Sequence, residues 1–186
     1  MLELCDNSGT LPRRINIQIE LMLIHRIELD HVSLPLAVPI PDRDRDLTHR
    51  DSILIRVYEE DWTGLGEISL PLAVDSELTD SYWQELTGPV LTRFFESNPA
   101  DPGQAIESIK SSGGREQVRC GLEMALWDLE GQKQNLPLYQ LFGGKRRTVE
   151  GCLSIEIHRD IEAILEEIGR YLRSDGYRRV RIHIRP

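Results

Sequence analysis

The chain has 186 residues, 40% of them hydrophobic and 28% charged, with a formal net charge of -9 and an isoelectric point of about 5.1. That is enough for one domain with a substantial core, or one domain and part of another, and it is the profile of an ordered polypeptide. The acidic balance argues against nucleic acid and anionic membrane as partners, since phosphate binding needs a net basic surface.

Three cysteines, Cys5, Cys120 and Cys152, are odd in number and far apart. They fit reduced thiols better than a disulfide framework or a zinc site, which points to the cytoplasm. No apolar run approaches the ~20 residues that span a bilayer. The amino terminus carries Glu3 and Asp6 and has no apolar signal core. Asn16, Gln18 and Glu20 follow Arg13-Arg14, which speaks against a twin-arginine signal.

Residues 1–14 read as a leader with Gly and Pro. From Ile15 to Leu29 nearly every odd position is apolar, a strand-like pattern, although fifteen residues exceeds the usual ~5–6 of one strand. Pro39–Asp46 alternates charge after two prolines and reads as an exposed loop, either a solvated linker or a lid. Ser52–Tyr58 and Leu65–Leu70 alternate again, with a turn at Asp61–Gly64, so a three-stranded antiparallel meander is expected. Glu67, in Gly64-Leu65-Gly66-Glu67, is read as structural at the sheet edge rather than catalytic.

Ser81–Glu96 has helical spacing, with Trp83, Leu86, Val90 and Phe94 on one side, and Gly88-Pro89 predicts a kink or two helices. A short helical segment ends at Gly113-Gly114. Arg115–Gly131 is the clearest helix, with Val118, Leu122, Ala125 and Leu129 on one face. Glu123 and Asp128 are separated by about 500° around that helix and do not share a face as metal ligands would. Gly143-Gly144-Lys145-Arg146-Arg147 lacks the spacing of a phosphate-binding loop and reads as a turn with solvated charge.

Val149–Ile157 reads as a strand. A helix follows, capped by Asp160 and ended by Gly176, with the apolar stripe Ile161, Ile164, Leu165, Ile168 and Leu172 and a Glu166–Arg170 pair. The last stretch, Tyr177–Pro186, alternates strictly: Val180, Ile182 and Ile184 against Arg181, His183 and Arg185. By periodicity alone this is a half-exposed edge strand. As the return strand of a βαβ unit it belongs in a parallel sheet with both faces covered, where a basic face lines a polar site.

Several of these stretches carry a resemblance. The segments MLIHRIELDHVSLPLAVPI from Met22, Leu122–Leu129, NLPLYQLFGGKRRTV and Arg181-Ile182-His183 resemble the muconate-lactonizing subgroup of the enolase superfamily. The nearest likeness is to o-succinylbenzoate synthases and N-acylamino acid racemases. The resemblance covers residues 22–186, less than half of a full member, whose complete barrel needs ~250 residues.

It implies an α+β fold: a capping domain (antiparallel β-meander plus helical bundle) over residues 22–148, then a truncated β-α-β start of a (β/α) barrel over 149–186. Residues 1–21 would be an extension, or an upstream region before a true start at Met22.

The resemblance also implies proton abstraction next to a carboxylate. In the family a magnesium ion stabilises the enediolate, and a Lys-x-Lys pair supplies the acid and base. Arg181 and His183 stand at those two lysine positions. Arg181 cannot release its proton in a useful range, whereas His183 can act near neutral pH. Ser154 matches a position near the substrate, and Asp42 and Arg43 lie in the lid loop. No residue matches the family's metal ligands, so no magnesium is expected for this chain alone.

The expected partners are a small carboxylate substrate if the barrel is completed, a carboxyl-terminal half, or a second copy. The chain is thus either an amino-terminal portion of such an enzyme, inactive by itself, or a non-catalytic binding or oligomerisation module.

Overall fold

The computed structural model describes residues 14–18, 24–41, 46–71, 76–99, 101–156, 161–174 and 177–183. They fall into two compact units, Met1–Gly144 and Lys145–Pro186.

The first unit opens with an antiparallel sheet of four strands in the order β1 (Arg14–Gln18), β2 (Arg26–Pro41), β3 (Asp46–Glu59), β4 (Trp62–Ser69). The three-strand expectation is corrected by β1, which comes from the residues assigned to the extension. The long alternation of 15–29 holds the ends of two paired strands: Ile15 faces Leu29 and Ile17 faces Ile27 in register. Both share one period of two, so no break shows in the pattern.

Ile27 and Leu29 of β2, Ile53, Ile55 and Val57 of β3 and Ile68 of β4 are buried on the core face. The β3–β4 turn is Glu60-Asp61, one residue earlier than the sequence suggested, with Glu60 in the left-handed region at φ 47°.

The expected loop at Pro39–Asp46 is shorter than its composition suggested. Pairing of β2 with β3 slips between Pro35 and Ile40, then resumes at Ile40–Leu47 and Pro41–Asp46. Prolines lack the ladder N–H, so the chain accommodates them by irregular pairing rather than by leaving the sheet. Asp42 and Arg43 lie outside the described residues.

A helical run follows. It comprises α1 (Ser76–Glu85), a π-type turn at Leu86–Val90 and α2 (Leu91–Ser97). The π turn contains Gly88-Pro89, so the missing proline N–H is absorbed by widening one turn. Trp83, Leu86, Val90 and Phe94 are buried, as their spacing predicts. The next helix, α3 (Pro102–Lys110), starts with Asp101 Oδ1 accepting from Gln104 N at 2.9 Å and Pro102 at its first position. Gly113 and Gly114 have φ of 76° and 74°.

The central helix, α4 (Glu116–Gln134), buries Val118, Leu122, Ala125 and Leu129 against the sheet. It runs past Gly131, where the sequence suggested an end, and stops at Asn135 with φ 52°. Gly131 is buried inside the helix, with the carbonyl oxygen of Leu136 3.1 Å from where a β-carbon would sit. The short α5 (Leu138–Leu141) closes the unit.

The second unit contains β5 (Cys152–Glu156), α6 (Ile161–Ser174) and β6 (Arg179–His183), with β5 and β6 parallel. Strand β5 begins three residues later than the pattern from Val149. Asp160 and Gly176 lie outside the described residues. On α6, Arg170 pairs with Glu167 at 3.9 Å, rather than with the expected Glu166. Ile155 and Ile164 are buried, while Ile161 is 71% and Leu165 62% exposed.

Candidate functional site

Parallel strands joined by a helix bring their carboxyl ends to one edge, and chemistry in α/β proteins is placed there. Here those ends are β5 and β6. Their register pairs are Cys152–Arg179, Leu153–Val180, Ser154–Arg181, Ile155–Ile182 and Glu156–His183. Ser154 and Arg181, two residues singled out from the sequence, are therefore register partners. His183 closes the same described ladder, opposite Glu156.

The expectation that both faces of the last strand are covered is corrected. Arg181 and Ser154 are exposed, and Ile182, on the other face, is 44% exposed. A two-stranded sheet has no inner strand, and among the described residues β5 and β6 have no further neighbour. At the entry end of β6, Glu150 balances Arg178 at 3.9 Å and Arg179 at 3.4 Å, so the basic run is partly compensated there.

In the first unit two of the acids considered from the sequence, Glu67 and Asp128, have structural partners. Glu67 accepts hydrogen bonds from Ser52 Oγ and Ser69 Oγ, each at 2.7 Å, and these hold its carboxyl below the usual range. Asp128 accepts from Leu65 N and from Gln132 Nε2, each at 2.9 Å, while Gln132 also donates to Thr63 O at 2.8 Å. Asp128 thus ties α4 to β4. With Gly131, Gln132, Asn135 and Leu136–Leu138 it lines an open depression of about 440 Å³.

One cluster escaped the sequence reading. On the outer face of the sheet, Tyr58 Oη donates to Glu28 at 2.7 Å, Arg56 donates to Asp30, and Arg26 lies 3.8 Å over the Tyr58 ring. Burial, then the bond to Glu28, push the Tyr58 hydroxyl above its ordinary pKa. Arg56 is held more firmly protonated, chiefly by Asp30. The even positions of β2 (Arg26, Glu28, Asp30) were the available signal, and the pairing with β3 was needed to read it.

A divalent ion needs several oxygen donors converging on one point. Among the described residues no group of three His, Cys, Asp or Glu could hold a metal ion. The donor set of the described residues does not fit such an ion. Among the same residues no helix is long and apolar enough to cross a membrane.

Residues 31–143 match the family described as mandelate racemase / muconate lactonizing enzyme, N-terminal domain. The chain belongs to that family. Its relatives include an N-succinylamino acid racemase of Thermus thermophilus, 30% identical over 168 residues, covering 89% of this chain and 45% of the relative. An o-succinylbenzoate synthase of Geobacillus kaustophilus is 27% identical over 167 residues, covering 88% and 44%. Among solved structures, the L-Ala-D/L-Glu epimerase of Bacillus subtilis superposes with a TM-score of 0.69 at 24% identity, over 88% of this chain and 45% of that one.

The likeness to that epimerase shows the fold. The first unit has the antiparallel sheet and helices of the enolase superfamily capping domain. The chain spans about 45% of the length of the curated relatives it matches.

Proposed function

We propose that this chain supplies the capping domain and the first two strands of an enolase superfamily barrel of the o-succinylbenzoate synthase or N-succinylamino acid racemase type. Its chemistry is proton transfer at a carbon next to a carboxylate, and it requires the rest of the barrel. The observation that carries this reading is the parallel β5–β6 pair directly after the family-matched domain, with Arg181 and His183 on alternate residues of β6. Those are the positions of the family's acid and base.

In this reading His183 takes or returns the proton. Arg181 stays charged and holds a carboxylate or disfavours the imidazolium. Ser154, the register partner of Arg181, faces the same substrate, and Asp42 and Arg43 belong to the lid. The partner is a small carboxylate. The magnesium of the full-length family would be held by residues on later strands.

A second reading, a non-catalytic binding or oligomerisation module, is supported by Arg181 itself. An arginine at a proton-transfer position cannot serve as the base, and the exposed Ile161, Leu165 and Ile182 suit association. The DNA beyond codon 186 separates the two. A continuation encoding acidic strand ends supports the enzyme, and a stop followed by an independent gene supports the module.

The direct test joins this chain to the carboxyl-terminal part of a relative and follows solvent deuterium entering the α-carbon of an N-succinylamino acid. Incorporation by the chimera that is lost in His183→Ala supports the enzyme reading. Incorporation unaffected by that change refutes it.

A further inference from the structure

Helix α6 carries more apolar surface than its own sheet covers. Ile164 is buried and Ile168 half-buried, whereas Ile161, Leu165 and Leu172 are exposed. Ile161, Leu165, Ile168 and Leu172 follow one another at steps of four, three and four residues. At 3.6 residues per turn they fall within an arc of about 60°, and this spacing is the seam along which two helices interlock. Ile164 and Tyr171 lie on one flank of the seam. Glu162, in the first turn, and Gly169 and Arg173, toward the last, lie on the other flank, about 80–120° from Ile161. There the guanidinium of Arg173 folds over Gly169, with Nη1 3.0 Å and Nη2 3.4 Å from where a β-carbon would sit.

We propose that a second copy of this chain docks on this seam, its α6 antiparallel to the first, with Ile161 against Leu172 of the copy, Leu165 against Ile168, and Glu162 facing the Arg173 guanidinium. A two-fold axis between Leu165 and Ile168 brings each flank against the same flank of the other helix. Glu162 then stands level with the Gly169–Arg173 turn of the copy, on the side where the guanidinium lies. Symmetry makes this contact twice, and Gly169 has no side chain to hold the helices apart. A parallel pair would instead set Glu162 against the apolar Ile164 flank and leave the charges unmatched. Four apolar side chains from each copy make a small interface, so the dimer is weak and concentration-dependent. The inference deepens the oligomerisation reading and rests on it for association, whereas the geometry is tested separately.

For that test Cys5, Cys120 and Cys152 are replaced by serine in the full chain, and Ile161→Cys or Leu172→Cys is added. Ile161 and Leu172 of one helix lie about 16 Å apart along its axis. Under mild oxidation neither variant alone should form a disulfide-linked dimer, and their equimolar mixture should form the mixed one. Links within either variant alone, with none in the mixture, overturn the antiparallel seam and leave association intact. Sedimentation of the unaltered chain should show a dimer whose fraction rises with concentration. Arg173→Glu should weaken it about fivefold, and Glu162→Arg added to that variant should recover part of the loss. Losses that simply add in the double variant overturn the Glu162–Arg173 contact. A chain that stays monomeric at every concentration overturns the docking; if Leu165→Cys then also resists a maleimide, another segment of the same chain occupies the seam.

Discussion

Gly66 of β4 and Gly121 of α4 meet backbone to backbone: a β-carbon on Gly66 would stand 2.1 Å from the carbonyl oxygen of Gly121. The same holds one pleat away, where a β-carbon on Gly64 would stand 2.0 Å from the carbonyl oxygen of Ala125. Helix α4 therefore lies directly on the strand, with no side-chain layer between them at these points. Asp128 accepting from Leu65 N then fixes the helix along the strand.

This approach sets the first expectation. Gly66→Ala forces two backbones apart and should cost about 3 kcal/mol, the upper range for overpacking. Gly88, in the π turn, has nothing within 4 Å of its absent β-carbon, and Gly88→Ala should fall within about 1 kcal/mol of wild type. Urea denaturation of both variants distinguishes a packing role at Gly66 from a general intolerance of alanine.

Glu67 gives a pH dependence. In the folded state its carboxyl is held below its ordinary range because Ser69 and Ser52 donate to the charged form. A depressed carboxyl contributes stability that is present above the unfolded pKa and is lost as pH falls through the folded one. Wild type should therefore lose part of its stability below about pH 4.5, and Glu67→Gln should lose less over that interval. Unfolding midpoints that decline in parallel for the two proteins would remove Glu67 from the account.

The outer-face cluster predicts a cost for a single hydroxyl. Glu28 is only 5% exposed and accepts from Tyr58 Oη. Tyr58→Phe withdraws a donor from a buried carboxylate and should destabilise the fold by about 1–3 kcal/mol. An unchanged denaturation midpoint would mean that water or a neighbouring guanidinium replaces the hydroxyl without loss.

The second unit should associate. Ile161, Leu165 and Ile182 are exposed, and a two-stranded parallel sheet leaves strand edges unpaired. Light scattering should show species larger than one chain, and the dye ANS should fluoresce. Ile161→Asp with Leu165→Asp should reduce both signals. A monomeric, ANS-silent wild-type chain contradicts this.

How much of this could be read from the residues depended on whether a signal was local. The face of α4 was legible because Val118, Leu122, Ala125 and Leu129 repeat at helical spacing, and Gly88-Pro89 marked the broken helical run because proline carries its effect in its own ring. Strand β1 was hidden, since two paired strands with the same alternation read as one long pattern. The stripe on α6 was visible, but its exposure was not: Ile161 and Leu165 need a covering layer that a two-stranded sheet does not provide. At the candidate site, Arg181 and His183 were legible from alternation on one strand. Glu156 was not, because its place opposite His183 is a matter of register between strands 27 residues apart, which periodicity does not encode.

The central claim is that this family member places its proton-transfer group on β6, at His183. The decisive measurement is solvent deuterium incorporation into an N-succinylamino acid by the barrel completed with a relative's carboxyl-terminal part, compared between the parent, His183→Ala, and Arg181→Lys with His183→Lys. The account predicts incorporation by the parent, none with His183→Ala, and equal or faster incorporation with the two lysines. Incorporation that persists unchanged in His183→Ala contradicts it and leaves β6 as structure alone.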